Sequence, residues 1–208
     1  MQITGIERQK KDHTRLSVFI DGAFAFGVSE EVYGRFVLHT GQELTSEERE
    51  EIERAEAESA VRRSALRFRS YRPRSSSEVR QYLLRKGYDE RTADAALAYL
   101  TEHRLLDDAE FARMAVRDRL KMKPVGQSVM RQLLMKKGVA KNVIDSVLAE
   151  YYSSEAESAL ARAEGERRMK RLTALPPLAQ KKRLYDHLVR RGYSSAAAMA
   201  VVHQLIPS

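Results

Sequence analysis

Two hydrophobic periods divide the chain. Over the first forty or so residues apolar and polar positions alternate: Leu16, Val18 and Ile20 share one face, Asp21-Gly22 follows, and Ala23-Phe-Ala-Phe-Gly-Val28 comes next. A period of two belongs to a strand, and Asp-Gly tolerates the positive φ of a tight turn, so a β-hairpin is predicted here. Ile3 to Gln9 supplies a candidate third strand, and Ser29 is placed to cap a short helix running to Phe36. A sheet this small must pack on whatever follows it.

From Thr45 the period becomes helical. Thr45-Ser-Glu-Glu48 has the form of a capping box, in which hydroxyl and carboxylate each satisfy a backbone N–H. It predicts a long charged helix to about Ser70, broken by Tyr71-Arg-Pro73. Beyond it the chain repeats. Ser77-Glu-Val-Arg-Gln-Tyr-Leu-Leu-Arg-Lys-Gly-Tyr88 matches Ser128-Val-Met-Arg-Gln-Leu-Leu-Met-Lys-Lys-Gly-Val139, and Lys181-Lys-Arg-Leu-Tyr-Asp-His-Leu-Val-Arg-Arg-Gly-Tyr193 restates it. The glycines, Gly87, Gly138 and Gly192, lie 51 and 54 residues apart. Each copy reads as an amphipathic helix ending in two cations, which suit a helix C-terminus, and a glycine that closes it in the left-handed conformation. A bulky residue follows, then a second helix (Ala93, Ala96, Leu97, Leu100; Ile144, Val147, Leu148, Tyr151; Ala198, Val201, Val202, Leu205). A further helix precedes each pair: residues 46–70, Ala109 to Lys121, and Glu155 to Leu172.

The expected fold is therefore mainly α, a tandem array of three three-helix repeats behind a small β-element. Its expected divisions are residues 1–44, 45–106, 107–152 and 153–208. Pro176-Pro177 breaks the third unit between its helices, and Asp107-Asp-Ala-Glu110 opens the second as a capping box.

Charge sharpens this picture. Residues 1–56 hold 7 basic and 12 acidic side chains, whereas the rest holds 30 and 17, so an acidic front precedes a basic body suited to phosphate or to an acidic protein groove. The cations recur at one repeat position. Arg62, Arg63, Arg67, Arg69, Arg72 and Arg74 crowd the end of the first long helix and its turn. Arg117, Arg119, Lys121 and Lys123 occupy the same stretch of the second unit, and Arg167, Arg168, Lys170 and Arg171 that of the third. Stacked repeats would turn them into a stripe, the footprint of a backbone-binding surface. Base-specific readout is not indicated, since no recognition helix gathers Asn, Gln and Arg. Tyr82, Tyr88 and Phe111 fit core positions, while Tyr71, at a turn among arginines, is the aromatic best placed for exposure and for stacking on a base.

Little else suggests chemistry. There are no cysteines, which removes disulfides, thiolate metal sites and Cys nucleophiles. Asp107, Asp108 and Glu110 are close enough to suggest Mg²⁺, but the same residues at the same spacing make a helix cap, which is the reading preferred. Ser75, Ser76 and Ser77 likewise read as caps, the five histidines form no i, i+4 pair, and no phosphate-binding Gly-Lys-Ser/Thr loop is present. No catalytic residue, metal or cofactor is expected. No apolar run approaches the ~18 residues that would cross a bilayer, and the first residues lack the apolar core of a signal peptide, so a cytoplasmic location is expected.

Arg72-Pro-Arg-Ser-Ser-Ser-Glu-Val-Arg-Gln-Tyr-Leu-Leu-Arg-Lys-Gly87, then Leu106-Asp-Asp-Ala-Glu-Phe-Ala112, then Gly126 ahead of Leu133-Leu-Met-Lys-Lys-Gly138 together resemble the RecX family. The resemblance covers about residues 55 to 205, and the hairpin in front is not expected in every member. It implies an elongated, curved array of three-helix repeats that binds the helical groove of RecA recombinase filaments on single-stranded DNA. Inhibition of strand exchange and ATPase is implied with it. The RecA partner comes from that resemblance alone. A monomer is expected, with direct, non-sequence-specific DNA binding as the alternative function.

Overall fold

Strands β1 (Ile3–Arg8), β2 (Arg15–Ile20) and β3 (Ala23–Ser29) form an antiparallel sheet in that order. The Asp21-Gly22 turn joins β2 to β3 with both φ values positive, +50° and +85°, as the twist of a two-residue hairpin requires. Alternation puts Leu16, Val18 and Ile20 on the buried face with Ile3, Phe26 and Val28. Helix α1 (Glu30–Phe36), capped by the Ser29 hydroxyl, adds Val32 to this core.

The remaining nine helices among the described residues are α2 (Ser46–Ser70), α3 (Ser76–Arg85), α4 (Glu90–Glu102), α5 (Asp108–Met122), α6 (Gln127–Lys136), α7 (Lys141–Tyr151), α8 (Ser154–Met169), α9 (Pro177–Arg190) and α10 (Ser195–Leu205). They group as α2-α3-α4, α5-α6-α7 and α8-α9-α10, and in each group the first helix packs against the third. The expected three-helix repeats and N-terminal sheet are what the chain forms. Helix α8 ends three residues short of Leu172, because the chain turns there and folds Leu172 back into the third core.

This computed structural model, which describes residues 1–207, comprises two compact units. One gathers Met1–Arg72 and Val79–Leu105, the other Pro73–Glu78 and the chain from Leu106 onward. In the first, Ile52 and Ala55 of α2 complete the core of the sheet, which supplies the packing that so small a sheet needs. Farther along α2, Val61 and Ala65 are buried with α3 and α4 residues such as Leu83 and Leu100. In the second unit, α5 to α7 and α8 to α10 each close a core, around Ile144 and Leu148 and around Leu184, Leu188 and Val201. Gly165 permits the close approach of α10 to α8, since a Cβ there would lie 2.6 Å from a methyl of Val201.

All three corners share one geometry. Gly87, Gly138 and Gly192 have φ of +90°, +72° and +91°. The N–H after each reaches back to a leucine carbonyl, Tyr88 to Leu83, Val139 to Leu134 and Tyr193 to Leu188, at 3.2–3.3 Å. These six-to-one bonds close the helix end, and only glycine takes the required φ without strain.

Candidate nucleic-acid interface

The corners also join repeats within the second unit. The Ser75 hydroxyl accepts from Glu78 N–H at 3.1 Å to cap α3 and donates to the Lys137 carbonyl at 2.5 Å. Lys137 Nζ meets Glu78 at 2.8 Å, and Gly138 leaves room for Ser77, whose Oγ would lie 2.2 Å from an added Cβ. The next corner repeats the scheme. Gly126 N–H donates to the Arg191 carbonyl at 2.9 Å, Ser128 N–H to that of Gly192 at 3.1 Å, and the Arg191 guanidinium to the Pro124 carbonyl. A Cβ on Gly126 would fall 2.1 Å from the Gly192 carbonyl group. The start of one repeat's second helix thus sits on the glycine corner of the next. Tyr193 is buried beside this contact; burial and then the negative charge of Glu164 push its hydroxyl up to about 12.

The recurrent cations divide into two sets. Arg62 bonds Glu31 at 2.6 Å and lies 4.6 Å from the centre of the Tyr99 ring, and Arg63 bonds Glu56 and the Ser59 hydroxyl, both at 2.7 Å. Glu56 is buried and also accepts from Ser29 N–H and pairs with Arg15. These arginines tie α2 to the N-terminal sheet and α1. Burial alone would raise the Glu31 carboxyl, but hydrogen bonds from Ser59 and Arg62, with the charges of Arg62 and Arg63, hold it below its ordinary value. Arg117 pairs with Glu110 and Arg167 with Glu164, at 2.9 and 3.1 Å. Arg74, Arg119 and Arg168 are half-buried, Arg72 is exposed, and neither Arg72 nor Arg74 is without a partner.

Arg67, Arg69, Lys121, Lys123, Lys170 and Arg171 differ: all six are exposed, and among the described residues none has an acidic partner. They stand at or just past the ends of α2, α5 and α8, where each helix dipole is negative and a cation is favoured whether or not a ligand binds. Tyr71 is 78% exposed. Tyr82 is half-buried and stacks on Phe68 with ring centres 4.0 Å apart, Tyr88 is half-buried, and Phe111 is buried. The acids have structural work: Asp107 caps α5 by accepting from Ala109 and Glu110 N–H, and Asp108 accepts from Ser76 N–H at 2.8 Å.

Two features escaped the reading of the sequence. Met122, at the end of α5, is 87% exposed. Arg80 grips Asp94, with its nearest oxygen at 2.6 Å, and Arg131 grips Asp145 across the same fourteen residues of the second repeat. Tyr185 and Met199 hold those positions in the third, so the ionic pair is not repeated there. The spacing was present in the sequence as a signal, an Arg seven before the glycine and an Asp seven after it.

Fold and surface define the class: a tandem three-helix-repeat protein with exposed cations at recurrent helix ends. Comparison with known proteins narrows it. Sequence models described as the regulatory protein RecX N-terminal domain and the first, second and third three-helix domains of RecX match residues 1–45, 62–100, 107–148 and 155–202. The regulatory protein RecX of Listeria welshimeri is 32% identical over 96% of this chain and 74% of its own length. That of Lactobacillus delbrueckii subsp. bulgaricus is 33% identical over 99% and 75%. A crystal structure of a regulatory protein RecX superposes with a TM-score of 0.84 at 26% identity, covering 96% of this chain and 98% of that one. The chain belongs to the RecX family of regulatory proteins, which is not a known enzyme family. The match over residues 1–45 carries the family pattern beyond residues 55 to 205 and takes in the N-terminal sheet of this chain. Its alternation carried no signature that the repeats echo, so resemblance read from the repeats stopped short of it. No helix among the described residues is long and apolar enough to cross a membrane.

Proposed function

We propose that this chain acts in the cytoplasm, as a monomer, by binding the helical groove of a RecA recombinase filament on single-stranded DNA. There it inhibits strand exchange and ATP hydrolysis, and so restrains homologous recombination, DNA repair and the SOS response. Membership of a regulatory family supports the regulatory part, and the RecA partner follows from family resemblance. The observation that carries the interface is the set of six exposed cations without acidic partners, repeated at the ends of α2, α5 and α8. Of the fifteen residues expected at the interface, these six and Tyr71 are assigned the contact. Arg62, Arg63, Arg117 and Arg167 already hold acidic partners, and Arg72, Arg74, Arg119 and Arg168 are given a supporting place beside the contact. The four divisions at residues 1–44, 45–106, 107–152 and 153–208 are retained as the working units of the array.

Inhibition here needs extent rather than chemistry: a chain laid across filament subunits resists the rearrangements that hydrolysis and strand exchange demand. The test is the DNA-dependent ATPase of the recombinase with this protein added at stoichiometric amounts. Hydrolysis is expected to fall several-fold, and an unchanged rate contradicts the reading. Direct DNA binding without recombinase is the second reading, favoured by the exposure of Tyr71; anisotropy with free single- and double-stranded oligonucleotides across a salt series would then show steep salt dependence.

A further inference from the structure

The repeat shows an exposed apolar side chain in a place where none is needed. Tyr71 and Met122 each stand two residues before the proline of their repeat, Pro73 or Pro124, and sixteen before its corner glycine, Gly87 or Gly138. They are 78% and 87% exposed, whereas the same repeat alignment buries Val79 and Met130, and Leu83 and Leu134, almost completely. Single exposed apolar residues are common on any surface. A large one kept at the same position of two repeats whose sequences otherwise differ there is not accounted for by packing. Cations bracket both: Arg69 and Arg72 around Tyr71, Lys121 and Lys123 around Met122. Arg69, Lys121 and Lys123 are exposed and, among the described residues, have no acidic partner.

We propose that Tyr71 and Met122 are one contact residue presented twice, an apolar side chain that enters between the bases of single-stranded nucleic acid while flanking cations meet its phosphates. A lone apolar side chain among charges suits a base stack better than a protein groove, because protein hot spots sit in dry apolar clusters. Tyrosine offers a ring for stacking, and methionine is among the side chains that wedge into base steps. In the third repeat the position sixteen before the corner glycine is Pro176, and Met169, at the end of α8, is half-buried against that repeat's core. The contact therefore belongs to the first two repeats. It rests on the reading that this surface meets DNA, yet its test uses free oligonucleotide and no filament.

The chain contains no tryptophan, so Tyr71→Trp and Met122→Trp each introduce a sole reporter. Titration with a deoxythymidine oligomer is expected to quench both, and to leave Leu178→Trp unquenched, a position equally exposed at 82% but outside the motif. Tyr71→Ala combined with Met122→Ala is expected to weaken oligonucleotide binding about tenfold with no change in melting temperature. Binding seen by anisotropy without quenching at positions 71 and 122 overturns the insertion. Absence of oligonucleotide binding overturns it too, while the ATPase test still judges the filament reading. Quenching by recombinase alone, without DNA, assigns the residues to a protein partner and equally overturns it.

Discussion

Gly126→Val lowers the stability of the second unit by about 3–5 kcal/mol, the largest single-residue effect expected in this protein. Gly126 has ordinary extended backbone angles, φ −74° and ψ 167°, so conformation does not require glycine there. Space does. An added Cβ would lie 2.1 Å from the carbonyl group of Gly192, which is backbone and cannot turn aside as a side chain can. Relief means separating the second and third repeats, and the bonds from Gly126 N–H to the Arg191 carbonyl and from Ser128 N–H to the Gly192 carbonyl are then lost. Each lost bond contributes about 1 kcal/mol. Urea denaturation of the full chain reads this as a lower midpoint or as a separate early transition. Gly34→Ala is the control, because nothing lies within 4 Å of its Cβ and alanine favours a helix. A Gly126→Val midpoint equal to that of the Gly34→Ala control contradicts the packing described.

The second large effect is functional. Replacing Arg67, Arg69, Lys121, Lys123, Lys170 and Arg171 together by glutamine is expected to weaken binding to recombinase filaments on the order of a hundredfold or more. The salt dependence should flatten with it, since each phosphate contact removed takes roughly 0.7 from the slope of log affinity on log salt for a single strand. Stability should fall only modestly, because these side chains have no acidic partner among the described residues and lose only a solvent-screened interaction with the helix dipoles. Replacing Arg62 and Arg63 instead is expected to act on the fold: among the described residues it leaves buried Glu56 with Arg15 as its one cationic partner and strips Glu31 of its guanidinium. Binding that survives the six-fold change with an unaltered salt slope would remove the cations from the interface.

Most of the fold was legible because its signals are local. The Thr45 capping box, with reciprocal bonds of 3.1 and 2.8 Å, spans four residues, as does the Asp21-Gly22 turn with its flanks. The three Lys/Arg-Gly corners needed only the recognition that left-handed glycines recur at one interval. The interface was legible as a cluster of charge, but not residue by residue. What separates Arg62 from Arg67 is Glu31, thirty-one residues earlier in the chain, brought close because the sheet and α1 pack on α2. No helical period carries such a pairing. Gly126 was visible only as a motif letter; its reason is the backbone of Gly192, sixty-six residues away. Helix α8 ends before the point its apolar period predicts, because Leu172 fits that period although it reaches the core from a turn. Asp107 and Asp108 both stand at the helix start as the spacing predicts, but the bond that Ser76 N–H donates to Asp108 crosses repeats and has no sequence trace.

The central claim is that this chain works by occupying the groove of a recombinase filament. Electron microscopy of filaments assembled on single-stranded DNA, imaged with and without stoichiometric protein and averaged along the helix, tests it most directly. The account predicts added density lying within the helical groove in the presence of the protein and lost with the six-fold glutamine variant. Filaments whose grooves stay empty while the protein remains in solution would contradict it.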